Sequence, residues 1–466
     1  MNMRTVALPY DGHAPAEAFR RLARRRGVFW LDSSLPRPGD GRFSIMGCEP
    51  RLVFVVEGSD WRIERGGKTV EDGSGAPLRK LDELVTAHRL LHEPGVEAPF
   101  WGGGVGWFSY DLGRQFETFA GTAKEDRPVP DIRLAWHDAA IVWDHQAGRS
   151  WLVGAGWERP PEEAASELAG WLEGPALDLQ ENSAPRPEVA TSDLRREDYL
   201  ALVEEARAAI ARGEIYQVNL VQRFECAHVE SPAATYLRLR DLNPAPFAVF
   251  QDAGDWAVLG SSPERFIEVE PAGKIRTCPI KGTRPRGQTP TEDLAQSQAL
   301  LESEKERAEL LMIVDLMRND LGRVCDYGTV KVNRLHELES FATVHHLVGE
   351  VEGRLRKDVS LGDLLRAVFP GGSITGAPKV SALRLIDRLE PHRRGIFMGA
   401  MGYVSAHGRI DLNIAIRTIV CREDRAFFQV GAGIVWDSDA AAEYEETLVK
   451  GRALFAALGV REASIK

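Results

Sequence analysis

A single lysine stands in a stiff and otherwise uncharged segment, residues 277–283 (TCPIKGT). This composition is typical of a strand, and a lysine inside an apolar strand is costly unless it is neutralised, paired or used. Burial lowers the pKa of an amine and thereby makes it a better nucleophile. Covalent catalysis by Lys281 is therefore one interpretation. A strand-edge lysine that points to water is the other.

Two groups of carboxylates have helical spacing. Glu306 and Glu309 lie three residues apart, and Glu443, Glu446 and Lys450 follow the i, i+3, i+7 positions of one helix face. Two such faces brought together would offer the hard oxygen ligands that Mg²⁺ prefers. Each pair taken singly also fits a solvated helix surface, so the metal-site hypothesis depends on their joint occurrence.

A glycine-rich stretch, residues 369–379 (FPGGSITGAPK), superficially resembles a phosphate-binding loop. It lacks the Lys-Ser/Thr that such a loop requires, so we reject nucleotide binding of that type. What remains is a turn with two hydroxyls that leads into a helix near Pro378; it either holds a carboxylate or phosphate or is simply a tight turn. A second glycine cluster at 431–433, with Arg417, would bind another carboxylate, because guanidinium groups match carboxylate geometry.

Two histidines, His345 and His346, are adjacent in a segment that we interpret as a strand. Neighbouring residues of a strand point to opposite faces, so the two cannot bind one metal together. We expect one at the surface and the other buried as a hydrogen-bonding partner. The buried imidazole either donates a proton to a departing hydroxyl or is an ordinary core histidine.

The scaffold that must position these residues is predicted to mix helices and strands. Helical periodicity favours helices at 78–91, 195–212 and 302–321, and apolar runs favour strands at 51–56, 139–143, 215–224, 256–259 and 427–436. We therefore expect an α+β protein with an antiparallel sheet core flanked by helices. A polar, proline-containing run predicts a linker at 181–194 between an N-terminal region, 1–180, and a catalytic region, 195–460.

Composition narrows the class of protein. The 466 residues are 44% hydrophobic, which excludes disorder as the main state, and no apolar stretch is long enough to span a membrane. The net charge of −11 argues against nucleic-acid binding as the main function. Five widely spaced cysteines suggest neither a disulfide framework nor a zinc site, so we expect free thiols in the cytoplasm.

The chain resembles the chorismate-utilising enzymes, the family that includes anthranilate, isochorismate, salicylate and aminodeoxychorismate synthases. The segments that carry the resemblance are 216–220 (YQVNL), 261–266 (SSPERF), 279–283 (PIKGT), 311–320 (LMIVDLMRND), 369–379 and the C-terminal Glu-x-x-Glu, with weaker matches at 41–44 (GRFS) and 106–114 (GWFSYDLGR). The resemblance implies a large interwoven antiparallel sheet core of the β-sandwich type.

Two positions divide this family. Gln217 stands where the isochorismate and salicylate enzymes carry a water-activating lysine, and Lys281 stands where the anthranilate enzymes carry alanine. The PIKGT form is similar to that of the aminodeoxychorismate synthases. The resemblance implies a transaminase-type amination, in which Lys281 attacks C2 of chorismate, the C4 hydroxyl leaves with help from Glu264, and ammonia adds at C4. The product is 4-amino-4-deoxychorismate, the precursor of 4-aminobenzoate and folate.

The resemblance also implies how the two substrate carboxylates are held. Mg²⁺ takes one, and the protein takes the other, while His346 faces the reacting ring and Met398 replaces a tyrosine of the anthranilate enzymes. The implied magnesium ligands are Glu309 and Glu446, supported by Glu306 and Glu443. The implied substrate-binding residues are Ser373, Arg417, the backbone of Gly431, Ala432 and Gly433, and Lys450.

The N-terminal part is similar to the aromatic amino-acid pocket of the family, where tryptophan is the implied ligand. Asp32 stands in place of the glutamate of the anthranilate enzymes. The matching residues are Asp32, Ser33, Arg42, Phe43, Ser44, Asn243, Pro244, Pro246 and Phe247.

The implied partner is a separate glutamine amidotransferase that supplies ammonia, since no cysteine here has a nucleophile-elbow context. Two alternatives stay open. Anthranilate synthase component I is favoured by the shared scaffold and by residues 284–287 (RPRG), which those enzymes also carry. A non-catalytic sensor of aromatic ligands on the same fold is the other.

Overall fold

A computed structural model describes residues 4–35, 40–90, 96–179, 188–340 and 344–465. The strands are β1 (Thr5–Pro9), β2 (Phe29–Asp32), β3 (Phe43–Gly47), β4 (Leu52–Glu57), β5 (Asp60–Arg65), β6 (Lys68–Ser74), β7 (Gly103–Phe108), β8 (Ile132–His137), β9 (Ala139–Asp144), β10 (Arg149–Ala155), β11 (Glu188–Ser192), β12 (Gln217–Ala227), β13 (Phe247–Asp252), β14 (Trp256–Ser262), β15 (Arg265–Val269), β16 (Lys274–Thr277), β17 (Ile280–Pro285), β18 (Lys331–Ser340), β19 (Val344–Arg354), β20 (Gly376–Ala377), β21 (Ala400–Ser405), β22 (Ile410–Ile414), β23 (Thr418–Arg422), β24 (Arg425–Ile434) and β25 (Val460–Ile465). The helices are α1 (Pro15–Leu22), α2 (Pro77–Ala87), α3 (Pro161–Leu172), α4 (Arg196–Ala211), α5 (Pro232–Leu242), α6 (Pro290–Glu302), α7 (Glu304–Gly322), α8 (Leu361–Val368), α9 (Lys379–Leu389) and α10 (Ala440–Ala457).

Within the described ranges, these strands form two large sheets. The first has 13 strands in the order β1-β10-β9-β3-β2-β13-β14-β23-β24-β12-β11-β25, with β20 paired to β12. The second has 12 strands in the order β17-β19-β16-β15-β22-β21-β7-β8-β4-β5-β6, with β18 paired to β19. Pairs such as β12–β24 and β17–β19 are antiparallel, whereas β11 and β25 are parallel. Both sheets combine strands from the two predicted regions, since β2 pairs with β13 and β7 pairs with β21.

The two sheets face each other across an apolar layer. Phe29 and Val142 of the first sheet share one buried cluster with Val105 and Tyr403 of the second. Helices pack on the outer faces: α1, α3, α5 and α10 contribute to the core behind the first sheet, and α2, α7 and α8 to the core behind the second. This sandwich of antiparallel sheets flanked by helices confirms the predicted α+β class.

Most predicted elements exist, with three differences. The helix predicted at 78–91 is shorter, because α2 ends at Ala87 and the Leu90 N–H donates to the Ala406 carbonyl. Helix α6 was not predicted; it begins after Thr289, which forms a capping box with Glu292. The end of the predicted linker, 181–194, forms strand β11, because it pairs with the edge of β12.

No helix in the described part of the chain has both the length and the apolar character needed to cross a membrane.

Candidate active site

Two predicted site residues lie where the chain passes from one sheet to the other. Glu264 stands between β14 of the first sheet and β15 of the second, and Arg417 stands between β22 and β23, which cross in the opposite direction. The Ile414 N–H donates to the Glu264 carbonyl and the Ser261 N–H to the Arg417 carbonyl, each at 3.0 Å. The two crossings are thus bonded to each other where the chain passes between the two sheets.

The Glu264 carboxyl is buried in this crossing, with 5% of the residue exposed. Burial raises its pKa to about 7, against the lowering effects of the Ser373 hydroxyl and the Lys281 charge. The Ser373 hydroxyl lies close enough for this effect but makes no hydrogen bond of normal geometry, and Glu264 Oε1 has no partner among the described residues. A carboxyl with this pKa can give and take a proton at neutral pH, as general acid–base catalysis requires.

Lys281 lies on β17, which pairs with β19. Its side chain is half-buried, and its Nζ donates to the carbonyl oxygen of Ser373 at 3.2 Å. The next residue, Gly282, has a φ of +71°, and a Cβ there would come within 3.1 Å of Glu306 Oε2. Glycine at this position therefore allows the lysine strand to approach the helix that carries the first carboxylate pair.

Ser373 belongs to the predicted glycine-rich turn, in a short 3₁₀ segment between α8 and α9. The turn is buried, and helix α9 follows directly after Pro378, as the sequence predicts. The Asn219 side-chain amide also donates to the Ser373 carbonyl, at 3.2 Å. One carbonyl oxygen therefore receives both Lys281 and a side chain from the first sheet.

Both adjacent histidines are buried, so the prediction that one lies at the surface is wrong. His345 is 2% and His346 4% exposed. His345 Nε2 lies 3.0 Å from Asp293 Oδ1 on α6, whereas His346 Nδ1 lies 3.0 Å from the Thr283 hydroxyl and 3.1 Å from the Gly282 carbonyl. The unpredicted helix α6 covers the face that we expected to be open to solvent. His346 is left beside the lysine strand.

Arg417 is a cation without a counter-ion in the described chain, where no carboxylate forms an ion pair with it. Burial lowers the pKa of its guanidinium, and its φ of +51° is a strained value for a residue other than glycine. A desolvated guanidinium of this kind favours binding of an anion.

The glycines of β24 allow a close approach between strands. A Cβ on Gly431 would lie 2.4 Å from the Leu220 carbonyl oxygen, and one on Gly433 would lie 2.8 Å from Gln217 Nε2. Lys450 reaches this strand from α10, since its Nζ donates to the Gly431 carbonyl at 3.1 Å and pairs with Glu446 at 2.7 Å.

Ala432, between the two glycines, faces the opposite side and packs in a separate apolar cluster.

Gln217, on β12, is a fully buried polar residue, at 0% exposure. Neither its amide nitrogen nor its amide oxygen has a hydrogen-bond partner within the described residues. Because a buried amide without partners is costly, this position favours a polar ligand beside β12.

The four predicted magnesium ligands come from two helices that a salt bridge connects, with Lys305 of α7 3.8 Å from Glu443 of α10. Burial raises the pKa of Glu309, and Glu306 and Glu443 raise it further. Burial likewise raises the pKa of Glu443. The carboxylates are Glu306, Glu309, Glu443 and Glu446.

This donor set fits a hard divalent cation in its chemistry, since it is all oxygen and its charges repel one another. Two lysines neutralise part of this negative charge, because Lys305 pairs with Glu443 and Lys450 with Glu446. Among the described residues, no three side chains are already arranged around one point as metal ligands.

A cavity of about 530 Å³ lies apart from Lys281 and Glu264, neither of which lines it. Two parts of the chain line this cavity. One wall comes from the predicted amino-acid pocket, and the second wall comes from the C-terminal half, where Arg265 and Tyr403 are among the lining residues. Those from the predicted amino-acid pocket are Asp32, Ser33, Arg42, Phe43, Pro246 and Phe247.

The remaining pocket residues do not line this cavity. Ser44 donates to Asp32 Oδ1 at 3.2 Å and so acts behind the wall, while Asn243 donates to the Ser261 hydroxyl at 2.7 Å and Pro244 is exposed. Asp32 is paired with Arg240 at 2.6 Å, and burial raises the pKa of its carboxyl.

One buried residue near the site was not predicted. Arg394 donates to the backbone carbonyls of Ile374, in the glycine-rich turn, and of Asn219, on β12. The only sequence signal was its position four residues after Glu390, which is also the spacing of an ordinary surface pair.

Comparison with known proteins gives a consistent result. The model of the chorismate binding enzyme family matches residues 39–456. Aminodeoxychorismate synthase component 1 of Klebsiella aerogenes is 39% identical over 449 residues, 96% of each chain. Anthranilate synthase component 1 of Pseudomonas aeruginosa is 38% identical over 472 residues, 98% of this chain and 95% of the relative.

A solved structure matches as well. The crystal structure of anthranilate synthase component I from Streptococcus pneumoniae superimposes with a TM-score of 0.79 at 34% identity. The match covers 88% of this chain and 91% of the other.

Proposed function

The chain belongs to the family of chorismate binding enzymes, and we propose that it converts chorismate and ammonia to 4-amino-4-deoxychorismate for 4-aminobenzoate and folate synthesis. It is an enzyme of the type represented by its relatives named aminodeoxychorismate synthase component 1. One observation carries the proposed chemistry: an amine and a carboxyl with a pKa near neutrality lie close together. Lys281 Nζ contacts the Ser373 carbonyl at 3.2 Å, and its charge acts on the Glu264 carboxyl, whose pKa is about 7.

The proposed reaction has two displacements. The neutral amine of Lys281 forms a bond to C2 of chorismate, both ring double bonds shift, and the C4–O bond breaks. Protonated Glu264 gives its proton to the departing hydroxyl, which leaves as water. Ammonia then bonds to C4, the double bonds shift back, and the C2–N bond to Lys281 breaks to leave the neutral amine. The ammonium group formed at C4 returns a proton to the Glu264 carboxylate. A covalent intermediate divides one difficult displacement into two easier ones.

His346 supports the first step from beside the lysine strand. Its Nδ1 contacts the Gly282 carbonyl and the Thr283 hydroxyl, and these contacts fix the plane of the ring. We propose that the imidazole held in this way faces the reacting ring and the leaving hydroxyl.

Two separate groups would hold the two carboxylates of chorismate. The guanidinium of Arg417, which has no ion-pair partner among the described residues, would take one, with the backbone of 431–433 beside it and Lys450 nearby. Glu309 and Glu446, supported by Glu306 and Glu443, would hold Mg²⁺ near the other. A bound Mg²⁺ neutralises carboxylate charge and so reverses the local sign of an acidic site.

We propose that ammonia reaches the site from a glutamine amidotransferase subunit. The name component 1 of the relatives supports a second component. We also assign the protein to the cytoplasm, in keeping with five free cysteines that are all buried.

We assign the 530 Å³ cavity to an aromatic amino acid, with tryptophan as the candidate. Its mixed lining supports this, because the aromatic rings of Phe43 and Phe247 line it together with Arg42 and Asp40, which form ion pairs with Asp144 and Arg265. A zwitterion with an aromatic side chain matches that combination.

The main alternative is anthranilate synthase activity, favoured by the relatives and the solved structure of that name. Incubation with chorismate, ammonium and Mg²⁺ separates the two. We expect a product that added aminodeoxychorismate lyase converts to 4-aminobenzoate. Fluorescent anthranilate formed without any added enzyme would contradict the proposal. Chorismate binding without turnover would instead favour a sensor.

A further inference from the structure

A buried ion pair contacts the glycine-rich turn that contains Ser373. Arg394 is 3% and Glu390 4% exposed, and two hydrogen bonds of 2.7 and 2.9 Å join the guanidinium to the carboxylate. The ring of Tyr110, from the N-terminal region, lies 4.5 Å from the guanidinium. The cation is therefore fixed on several sides by groups from distant parts of the chain.

Arg394 also binds both segments that form the site. Its Nη1 donates to the Ile374 carbonyl at 3.2 Å, and its Nη2 donates to the Asn219 carbonyl at 2.7 Å. The side chain of Asn219 in turn donates to the Ser373 carbonyl, which is the oxygen that Lys281 contacts. Arg394 is thus connected to Lys281 by hydrogen bonds that run through the residue Asn219 and meet at the Ser373 carbonyl.

Stability alone is a weak reason for such an arrangement. The cost of desolvating a buried pair offsets most of its attraction, so an apolar replacement is often as stable. What an arginine adds is a planar fork that can hold a carboxylate and two carbonyls in one fixed geometry. A lysine, with one point charge, cannot reproduce these contacts.

We propose that Arg394 is a positioning residue. It fixes the Ser373 carbonyl through Ile374 and Asn219, and thereby orients Lys281 toward the substrate. Arg394 itself contacts no substrate in this scheme. Its effect on turnover rests on the proposed function, whereas its effect on Lys281 does not.

The test is the Arg394→Lys variant compared with Arg159→Lys. Arg159 pairs with buried Asp138 at 2.9 Å and belongs to the N-terminal region, away from the site. A displacement of the nucleophile by about 1 Å costs on the order of 100-fold in rate. We therefore expect kcat of Arg394→Lys to fall about 100-fold with KM for chorismate changed less than about threefold. Arg159→Lys should retain kcat.

A second measurement needs no chorismate. The rate at which N-acetoxysuccinimide acetylates Lys281 is followed by peptide mass spectrometry in each variant. We expect this rate to change in Arg394→Lys and to stay at the wild-type value in Arg159→Lys. If wild type makes no product, the acetylation rates still decide the positioning role.

A folded Arg394→Lys protein with wild-type kcat and acetylation rate would overturn the proposal, and so would equal losses in Arg159→Lys. If Arg394→Lys does not fold, Asn219→Ala interrupts the same path. That variant should show an altered acetylation rate at Lys281 with an unchanged melting profile, and an unaltered rate would overturn the proposal.

Discussion

The amine of Lys281 donates a 3.2 Å hydrogen bond to the main-chain carbonyl of Ser373. The amine proposed as the nucleophile is thus held by a backbone carbonyl and not by one of the nearby carboxylates. Because a carbonyl carries no net charge, this contact orients the amine without committing it to an ion pair. The orientation of the Lys281 amine and the effect of nearby charges on it can therefore be tested separately.

The pH dependence of turnover should report Glu264. Its carboxyl has a pKa raised to about 7 by burial, and as general acid it acts in its protonated form. We expect kcat/KM for chorismate to fall as the pH rises through about 7. In Glu264→Gln, kcat should drop by about 100-fold to 10,000-fold and this limb of the profile should disappear. A limb that persists in the variant would assign the titration to another group.

Replacing Arg417 should weaken substrate binding. A charge-assisted hydrogen bond contributes about 1.5–3 kcal/mol, so Arg417→Gln should raise the Kd for chorismate by about 10- to 100-fold. Arg422→Gln is the matched control, because that guanidinium packs on Trp256 at 4.4 Å outside the site. Isothermal titration with chorismate measures both, and equal effects would argue against a direct contact by Arg417.

Magnesium should stabilise the folded chain. A ligand that binds the native state and not the unfolded chain raises the melting temperature. We expect 5 mM Mg²⁺, as an order of magnitude, to raise the melting temperature of wild type but not of Glu309→Gln/Glu446→Gln. Chelation by EDTA should abolish turnover, and added Mg²⁺ should restore it. An identical shift in the double variant would place the ion elsewhere.

Acid should destabilise the protein through His137. This residue is 1% exposed, and burial lowers the pKa of its imidazole to about 4. The unfolded chain therefore binds the proton first, and stability is lost as the pH falls from about 6.5 toward 4. The loss amounts to about 3 kcal/mol.

Urea unfolding of wild type and His137→Gln at pH 7 and pH 4.5 isolates this contribution, because the other titrating groups are common to both proteins. The pH-dependent loss should be smaller in the variant. The same loss in both proteins would exclude His137 as its origin.

Much of the fold followed from local patterns in the sequence. Helices α4 and α7 begin and end within two residues of their predicted limits, because their apolar periodicity is regular. Motif resemblance selected Glu264, Lys281 and Ser373, and the structure brings these three together.

The features that the sequence did not predict depend on contacts between distant segments. The burial of His345 required helix α6, whose polar surface gave only a weak periodic signal. Arg394 binds carbonyls 20 and 175 residues away, and no side-chain pattern encodes a bond to a backbone carbonyl. The second wall of the 530 Å³ cavity likewise arises only when the two sheets face each other.

The covalent role of Lys281 is the central claim, and peptide mass spectrometry after digestion tests it most directly. Wild type and Lys281→Ala are incubated with chorismate and Mg²⁺ without ammonia, quenched and digested. We expect the wild type to gain the mass of chorismate minus water on the peptide that contains Lys281, and the variant to gain none. An adduct on another residue, or turnover at the wild-type rate by Lys281→Ala, would contradict the mechanism.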